Sequence, residues 1–431
     1  MPAPKNTARR ALLVASATLL SLSAAAPAAL AAPTPSATAS ATSGANSPAN
    51  SSATSAASPP ATMSTLGGAR LGLTGTQVNL GGGVPVLPEG LTAKSWIVAD
   101  AESGQVLAAH NAHWRLPPAS TLKMLLADTL LPRFPKTTKH KVVAADLKGM
   151  GAGSSVVGIK TGHTYTVHDL WLGVFLRSGN DAVHVLSAMN GGVPQTVEDM
   201  QAHADELQAG DTHVVSPDGY DEPGQVSSAY DLTLFARSGL QKKDFRDYCS
   251  TVRATFESKP IQNTDRLLSG DTDVPVYQGI AGVKNGNTTH AGATYTGVAE
   301  RNGKVLLVTM MNPQKHEHNE VYKESAKLLD WGFQADGKVT PVGELVPPLN
   351  AVQASAQPSA DATSGASAST TPRTGGAGST AVASATTGHG SRGIGIALAV
   401  AAGLLVLLAG GAFLVNRRWP LPDLMRRRPR P

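Results

Sequence analysis

Three short stretches of this 431-residue chain carry groups that can do chemistry together: Ser120-Thr121-Leu122-Lys123, Ser178-Gly179-Asn180 and Lys284-Asn285-Gly286. A serine and a lysine three residues apart share one face of a helical turn, so the Lys123 amine can reach the Ser120 hydroxyl and serve as its base. Lysine does this only when neutral, which calls for burial or a nearby cation to lower its pKa, and Lys284 is a candidate for that cation. Ser178 can relay a proton, and Asn180 offers both a donor and an acceptor to a peptide backbone. The set is suited to serine acyl transfer. Taken singly each stretch is weak, because S-x-x-K tetrapeptides and Ser-Gly-Asn loops recur by chance.

The elements that must hold these groups are legible in outline. Pro117 and Pro118 break the chain before an apolar helix expected over residues 120–131. Thr166-Val167-His168-Asp169 has the form of a capping box opening a helix over residues 167–176, and a further helix is expected over Asn180–Met189. Ser178 and Asn180 then sit on the tight connection between two helices. Residues 95–99 and 106–109 pattern as strands around a turn at 102–105, and residues 295–299 and 304–311 as a hairpin across Asn302-Gly303. Residues 279–284 form the strand before that hairpin and residues 321–333 an amphipathic closing helix. The expected class is α+β: an antiparallel sheet built from both ends of the domain, with a helical insertion carrying the Ser-x-Asn loop.

Composition divides the rest of the chain. Lys5, Arg9 and Arg10 precede an apolar run and Ala29-Leu30-Ala31, the pattern of a signal peptide over residues 1–31. An Ala/Ser/Pro-rich linker is expected over 32–90, the folded unit over 91–349 and an Ala/Ser/Thr/Gly-rich stalk over 350–392. Residues 393–416 are long and apolar enough to span a bilayer, and the arginine-rich tail 417–431 places the C-terminus in the cytoplasm and the folded unit outside. Removing the leader's three basic residues, and a tail segment of seven arginines and one aspartate, turns the net charge of +5 into −4. That removes the basis for a nucleic-acid partner. Cys249 is the sole cysteine, so no intrachain disulfide forms, and a buried hydrophobe is its expected role. Lys160-Thr161-Gly162 also has the K-x-G form, but it ends 16 residues before Ser178 and is assigned to a hairpin turn. His316-Glu317-His318 lacks a third ligand and is assigned to a polar loop.

The runs 118–123, 165–166 through 178–182, and 282–284 are similar to the D-alanyl-D-alanine carboxypeptidases, the low-molecular-mass penicillin-binding proteins. The similarity extends over residues 93–335 and includes Ser216-Pro217-Asp218-Gly219 and Ser228-Ala229-Tyr230-Asp231-Leu232. It implies a β-lactamase/transpeptidase-like fold with helices on both faces of the sheet. It also implies Ser120 as nucleophile toward a peptidoglycan stem peptide ending in D-Ala-D-Ala, Lys123 as general base, Ser178 as proton relay and Asn180 as a positioning group. Lys284, Asn285, Gly286 and Asn287 become substrate-binding residues, with the Ser120 and Asn287 N–H groups as the oxyanion hole. No metal or organic cofactor is implied, and β-lactam antibiotics are the implied covalent inhibitors. Asn285 stands where the family pattern has Thr or Ser, and Ser216 where it often has Asn, so Ser216 is given no role. The competing readings are a serine β-lactamase, for which no Glu-x-x-Leu-Asn follows Ser178, and a non-catalytic cell-wall binding protein.

Overall fold

The computed structural model describes residues 58–356. The leader, most of the stalk, the apolar stretch 393–416 and the basic tail expected from the sequence lie outside the described residues. Among those described, no helix is long and apolar enough to cross a membrane.

The elements run, in order, β1 (Thr76–Val78), β2 (Ala93–Asp100), β3 (Gln105–His110), α1 (Lys123–Leu130), β4 (Lys139–Lys141), β5 (Thr164–Thr166), α2 (Val167–Arg177), α3 (Asn180–Met189), α4 (Val193–Glu206), α5 (Ala229–Gly239) and α6 (Lys243–Cys249). They continue with β6 (Arg253–Phe256), β7 (Lys259–Gln262), α7 (Arg266–Ser269), β8 (Ile280–Thr288), β9 (Gly292–Arg301), β10 (Lys304–Pro313), α8 (Glu320–Ala335), β11 (Gly343–Glu344) and α9 (Leu349–Ala356). Seven strands form one antiparallel sheet in the order β1-β3-β2-β10-β9-β8, with β11 added beside β3. The two ends of the chain supply this sheet, and residues between β3 and β8 make the helical insertion.

Period-2 alternation decides how the sheet is covered. Along β2, Ile97 and Ala99 face the cluster formed with α1, α2 and α5, while Trp96 and Val98 face the one formed with α8. Leu307 and Met311 of β10 go to the first side, and Leu306, Val308 and Met310 to the second. Both faces are therefore buried, which is why these strands are almost continuously apolar. The α8 side chains Leu328, Leu329 and Trp331 close the second face.

The linker expected over 32–90 is shorter than its composition suggests. Leu71 is fully buried in the main core, and Thr76–Val78 pairs with β3 as an edge strand. Few apolar residues are needed here, because an edge strand is held by main-chain hydrogen bonds. The helix expected over 120–131 divides into a 3₁₀ turn, Ala119–Leu122, followed by α1. The strand expected at 279–284 continues to Thr288, so Asn285, Gly286 and Asn287 lie within β8.

Candidate active site

Three elements meet at Ser120. The 3₁₀ turn that carries it begins with Ala119 at φ 50°, a left-handed value that a residue with a Cβ adopts only when its surroundings compel it. Gly219 packs directly against this turn, where a Cβ would lie 2.0 Å from the Ala119 carbonyl oxygen. The 3₁₀ geometry brings residues i and i+3 into line, and Lys123 Nζ lies 2.8 Å from Ser120 Oγ. Its other partner is the main-chain oxygen of Asp218 at 2.5 Å.

Lys123 is 1% exposed. Burial lowers its pKa from 10.5 to about 8, against the attraction of Asp218 and, less strongly, Asp181. Of the two causes the sequence allowed, burial or a nearby cation, burial is the one that acts, and the candidate cation Lys284 is not among the causes. The repulsion between the two amines is felt instead at Lys284, held well below its ordinary value by burial first and the Lys123 charge second.

The second element is the α2–α3 connection. The expected capping box is formed, with Thr166 Oγ1 accepting from Asp169 N at 3.1 Å and Thr166 N donating to Asp169 Oδ2 at 3.1 Å. At the other end of α2, Ser178 takes a left-handed conformation, φ 54°, and turns the chain directly into α3. Gly179 is required there, because a Cβ would come within 2.7 Å of Asp181 Oδ1. Asp181 accepts from the N–H groups of Val157, Gly158 and Ile159 at 2.8–3.0 Å, fixing the preceding loop against α3. Asn180 Nδ2 donates to Ser154 Oγ at 3.0 Å, while its Oδ1 is buried without a hydrogen-bond partner. An acceptor left open in this way is an unusual cost inside a protein and a natural place for a ligand N–H.

The third element is β8. Lys284 Nζ donates to Ser178 Oγ at 3.0 Å and to the Asn285 carbonyl at 2.7 Å. Gly286 lets the strand approach the turn that carries Ser120, since a Cβ there would lie 2.7 Å from Ser120 N and 2.6 Å from Thr294 Oγ1. Asn287 lines the cleft that contains Ser120, together with Asn180, Ser154, Ser155 and Tyr220.

Asn285 is placed differently from the other expected binding residues. Alternation along β8 turns its side chain to the opposite face from Lys284, where Oδ1 accepts from Thr264 Oγ1 at 3.0 Å. It lines a neighbouring cavity with Tyr322 and His316, and Asn287 lies on the boundary of the two.

Sequence reasoning missed several residues around the cleft. Tyr220 donates from its hydroxyl to the Ala152 carbonyl at 2.8 Å, and its ring fills the space over Gly151, where a Cβ would come within 2.3 Å of it. Ser154 and Ser155 lie in a Gly-rich loop whose only sequence signal is its glycines. Ser216 donates to Asp218 Oδ1 at 2.9 Å. Burial opposes the Asp218 charge, but His184, with Nε2 3.7 Å from Oδ2, and the charge of Lys123 outweigh it and hold this carboxyl at about 2.

Lys160 is far from this chemistry. A turn closed by His163 N to Lys160 O precedes β5, and Lys160 Nζ is 2.6 Å from Glu257 Oε2. It is a loop turn rather than a tight hairpin turn, because β4 and β5 are separated by 22 residues. Cys249 is buried, with Sγ 3.3 Å from the Ala281 carbonyl oxygen. Among the described residues one group, His113, Asp211 and Asp231, has donor atoms within 4.8 Å of each other. Both His113 ring nitrogens are already engaged, with Asp211 Oδ2 at 2.6 Å and the Leu66 carbonyl at 3.0 Å, as expected of a hydrogen-bonded tie between segments. His318 pairs with Asp273 at 3.1 Å in a surface loop.

Comparison with known proteins gives a consistent result. The family profile for D-alanyl-D-alanine carboxypeptidase matches residues 84–315. A D-alanyl-D-alanine carboxypeptidase of Mycobacterium tuberculosis is 38% identical over 268 residues, covering 61% of this chain and 89% of that protein. The crystal structure of a D-alanyl-D-alanine carboxypeptidase from Mycobacterium tuberculosis superposes with a TM-score of 0.57 at 36% identity, over 62% of this chain and all of that one. Penicillin binding protein 6B from Escherichia coli superposes with a TM-score of 0.53 at 31% identity, over 60% of this chain and 81% of that one.

Proposed function

This chain belongs to the D-alanyl-D-alanine carboxypeptidase family of serine hydrolases, and from that premise we propose that it removes the terminal D-alanine of peptidoglycan stem peptides through an acyl-enzyme on Ser120. One observation carries the assignment of roles: an amine 1% exposed, with a pKa lowered to about 8, sits 2.8 Å from a serine hydroxyl. A fraction of Lys123 is then neutral near pH 7 and able to take the Ser120 proton as the oxygen attacks the penultimate carbonyl.

The bond formed is an ester between Ser120 and the penultimate D-alanine, and the bond broken is the terminal peptide. The leaving amine needs a proton. Ser178 accepts from Lys284 at 3.0 Å, which leaves its own hydroxyl hydrogen available for transfer. The open Asn180 Oδ1 receives a substrate N–H. The close approach of β8 at Gly286 supports an oxyanion hole from the N–H groups of Ser120 and Asn287. Water then cleaves the ester. Lys284, its amine donating to Ser178 Oγ, lies beside the site, and Asn285 acts on the substrate carboxylate from the edge of the neighbouring cavity, across Asn287.

The reading extends to location. The leader, the stalk and the apolar stretch 393–416 followed by arginines suit an exported enzyme tethered by one C-terminal helix, with its site facing the wall. The test is D-alanine release from a pentapeptide by the full-length protein, alongside labelling by a fluorescent penicillin. Release and labelling that both vanish in Ser120→Ala are expected. Equal release by wild type and Ser120→Ala would favour a binding protein, and rapid penicillin turnover a β-lactamase.

A further inference from the structure

Behind Lys123 lies a buried acid and histidine that the proposed mechanism does not use. Lys123 Nζ rests on the main-chain oxygen of Asp218, and the carboxylate of that residue is 2% exposed. Asp218 Oδ1 accepts from Ser216 Oγ and Tyr220 N, each at 2.9 Å. Oδ2 faces His184 Nε2 at 3.7 Å. His184, 5% exposed, is one helical turn beyond Asn180 on α3.

The tautomer of His184 follows from its partner. Nδ1 is 3.0 Å from the Lys148 carbonyl oxygen, which can only accept, so Nδ1 carries a hydrogen. Nε2 is then the ring nitrogen that faces Asp218. A bare Nε2 would set a lone pair against a carboxylate, whereas a protonated one completes an ion pair.

We propose that Asp218 and His184 together set the charge state of the base. The Asp218 carboxylate favours the Lys123 ammonium, and His184, set against that carboxylate as its ion-pair partner, draws the negative charge to itself and lets Lys123 act at lower pH. Both are positioning residues, since neither faces substrate. The proposal rests on the reading of Lys123 as the base of acylation.

The other charged groups around Lys123 do not substitute for this pair. Asp181 attracts it less strongly than Asp218, and its carboxylate already accepts three loop N–H groups. Lys284 of β8 is a second buried amine, held well below its ordinary pKa by burial first and the Lys123 charge second, and its partners are Ser178 and the Asn285 carbonyl. Facing His184, the groups in contact are Asp218 and the Lys148 carbonyl.

The experiment measures Ser120 acylation by a fluorescent penicillin from pH 5.5 to 9, using full-length wild type, Asp218→Asn, His184→Gln and the double variant. Asp218→Asn keeps an acceptor for Ser216 and Tyr220 N while removing the charge. Its acid limb is expected to move down by about one pH unit, giving about a tenfold higher fraction of plateau rate at pH 6. His184→Gln is expected to move the acid limb the opposite way, up, so that its fraction of plateau rate at pH 6 falls about three- to tenfold below wild type. In the Asp218→Asn background the His184 change should leave the profile unmoved. A role in packing alone would scale the rate equally at every pH, and that outcome overturns the proposal. So does a wild-type acid limb that neither variant shifts; a wild type with no acid limb overturns the role of Lys123 as well. Melting curves establish folding, and the near-isosteric Asp218→Asn decides if His184→Gln does not fold.

Discussion

The Cβ that Gly286 lacks would lie 2.7 Å from the backbone nitrogen of Ser120, so β8 and the nucleophile turn meet main chain to main chain. Nothing larger than hydrogen fits, and the neighbouring atoms, Thr294 Oγ1 at 2.6 Å and Ala119 Cβ at 2.9 Å, are themselves buried. Gly286→Ala must push the strand away from Ser120 and open the proposed oxyanion hole. Acylation is expected to fall by about 10²- to 10³-fold, the cost of losing one such donor. Stability should fall by only about 1–3 kcal/mol, typical of overpacking. Penicillin labelling together with a melting curve checks both, and normal labelling would dissociate this contact from catalysis.

The legible parts of this site were those set by local chemistry. Thr166 and Asp169 announced the start of α2, Asn180–Met189 forms the helix its pattern indicated, and Asn302-Gly303 turns β9 into β10. The illegible parts depend on contacts between distant residues. Composition around Leu71 resembles a linker, yet pairing with β3 draws that segment into the fold. The side of the strand taken by Asn285 followed only once β8 was known to run unbroken through the motif. Asp218 and His184 lie 34 residues apart in sequence and meet only because the 216–220 loop folds back over Ala119.

Lys123 should be a liability to the fold as well as the proposed base. Burial brings its pKa in the folded state to about 8 from 10.5. Below pH 8 both states carry the proton and the folded state bears the cost; between these values the unfolded chain binds the proton that the folded one has released. Unfolding free energy from this group therefore rises with pH through that window. Lys123→Met is expected to lower acylation by about 10³-fold. At pH 7 it should melt no lower than wild type, with any advantage shrinking toward pH 10. A marked loss of melting temperature at pH 7 would contradict this.

Asn180 pairs a satisfied Nδ2 with a buried, open Oδ1. Asn180→Ala removes one hydrogen bond to Ser154 but also relieves an unpaired acceptor, so its net effect on stability should be under about 1 kcal/mol. Substrate has no such compensation. Loss of the acceptor for its N–H is expected to lower kcat/KM for D-alanine release by about 10- to 100-fold, from a hydrogen bond worth 1–3 kcal/mol. Unchanged kinetics would remove Asn180 from the binding surface.

The two K-x-G tripeptides offer a direct contrast. Lys160 is a half-exposed partner of Glu257, whose carboxyl is held at about 2 by hydrogen bonds from Lys160 first and Tyr165 next. Exposed pairs of this kind contribute at most about 1 kcal/mol. Lys160→Ala should therefore leave Ser120 labelling within about twofold of wild type, as surface substitutions do. Lys284 is 1% exposed, and its amine is the hydrogen-bond partner of Ser178. Lys284→Ala empties that position and leaves Ser178 unoriented, and labelling should fall by about 10²-fold or more. Measured side by side, the two alanine variants separate a motif matched by its letters from one matched by its place: comparable losses from both would reopen the assignment of β8, whereas loss from Lys284→Ala alone ties the reaction to the strand beside Ser120.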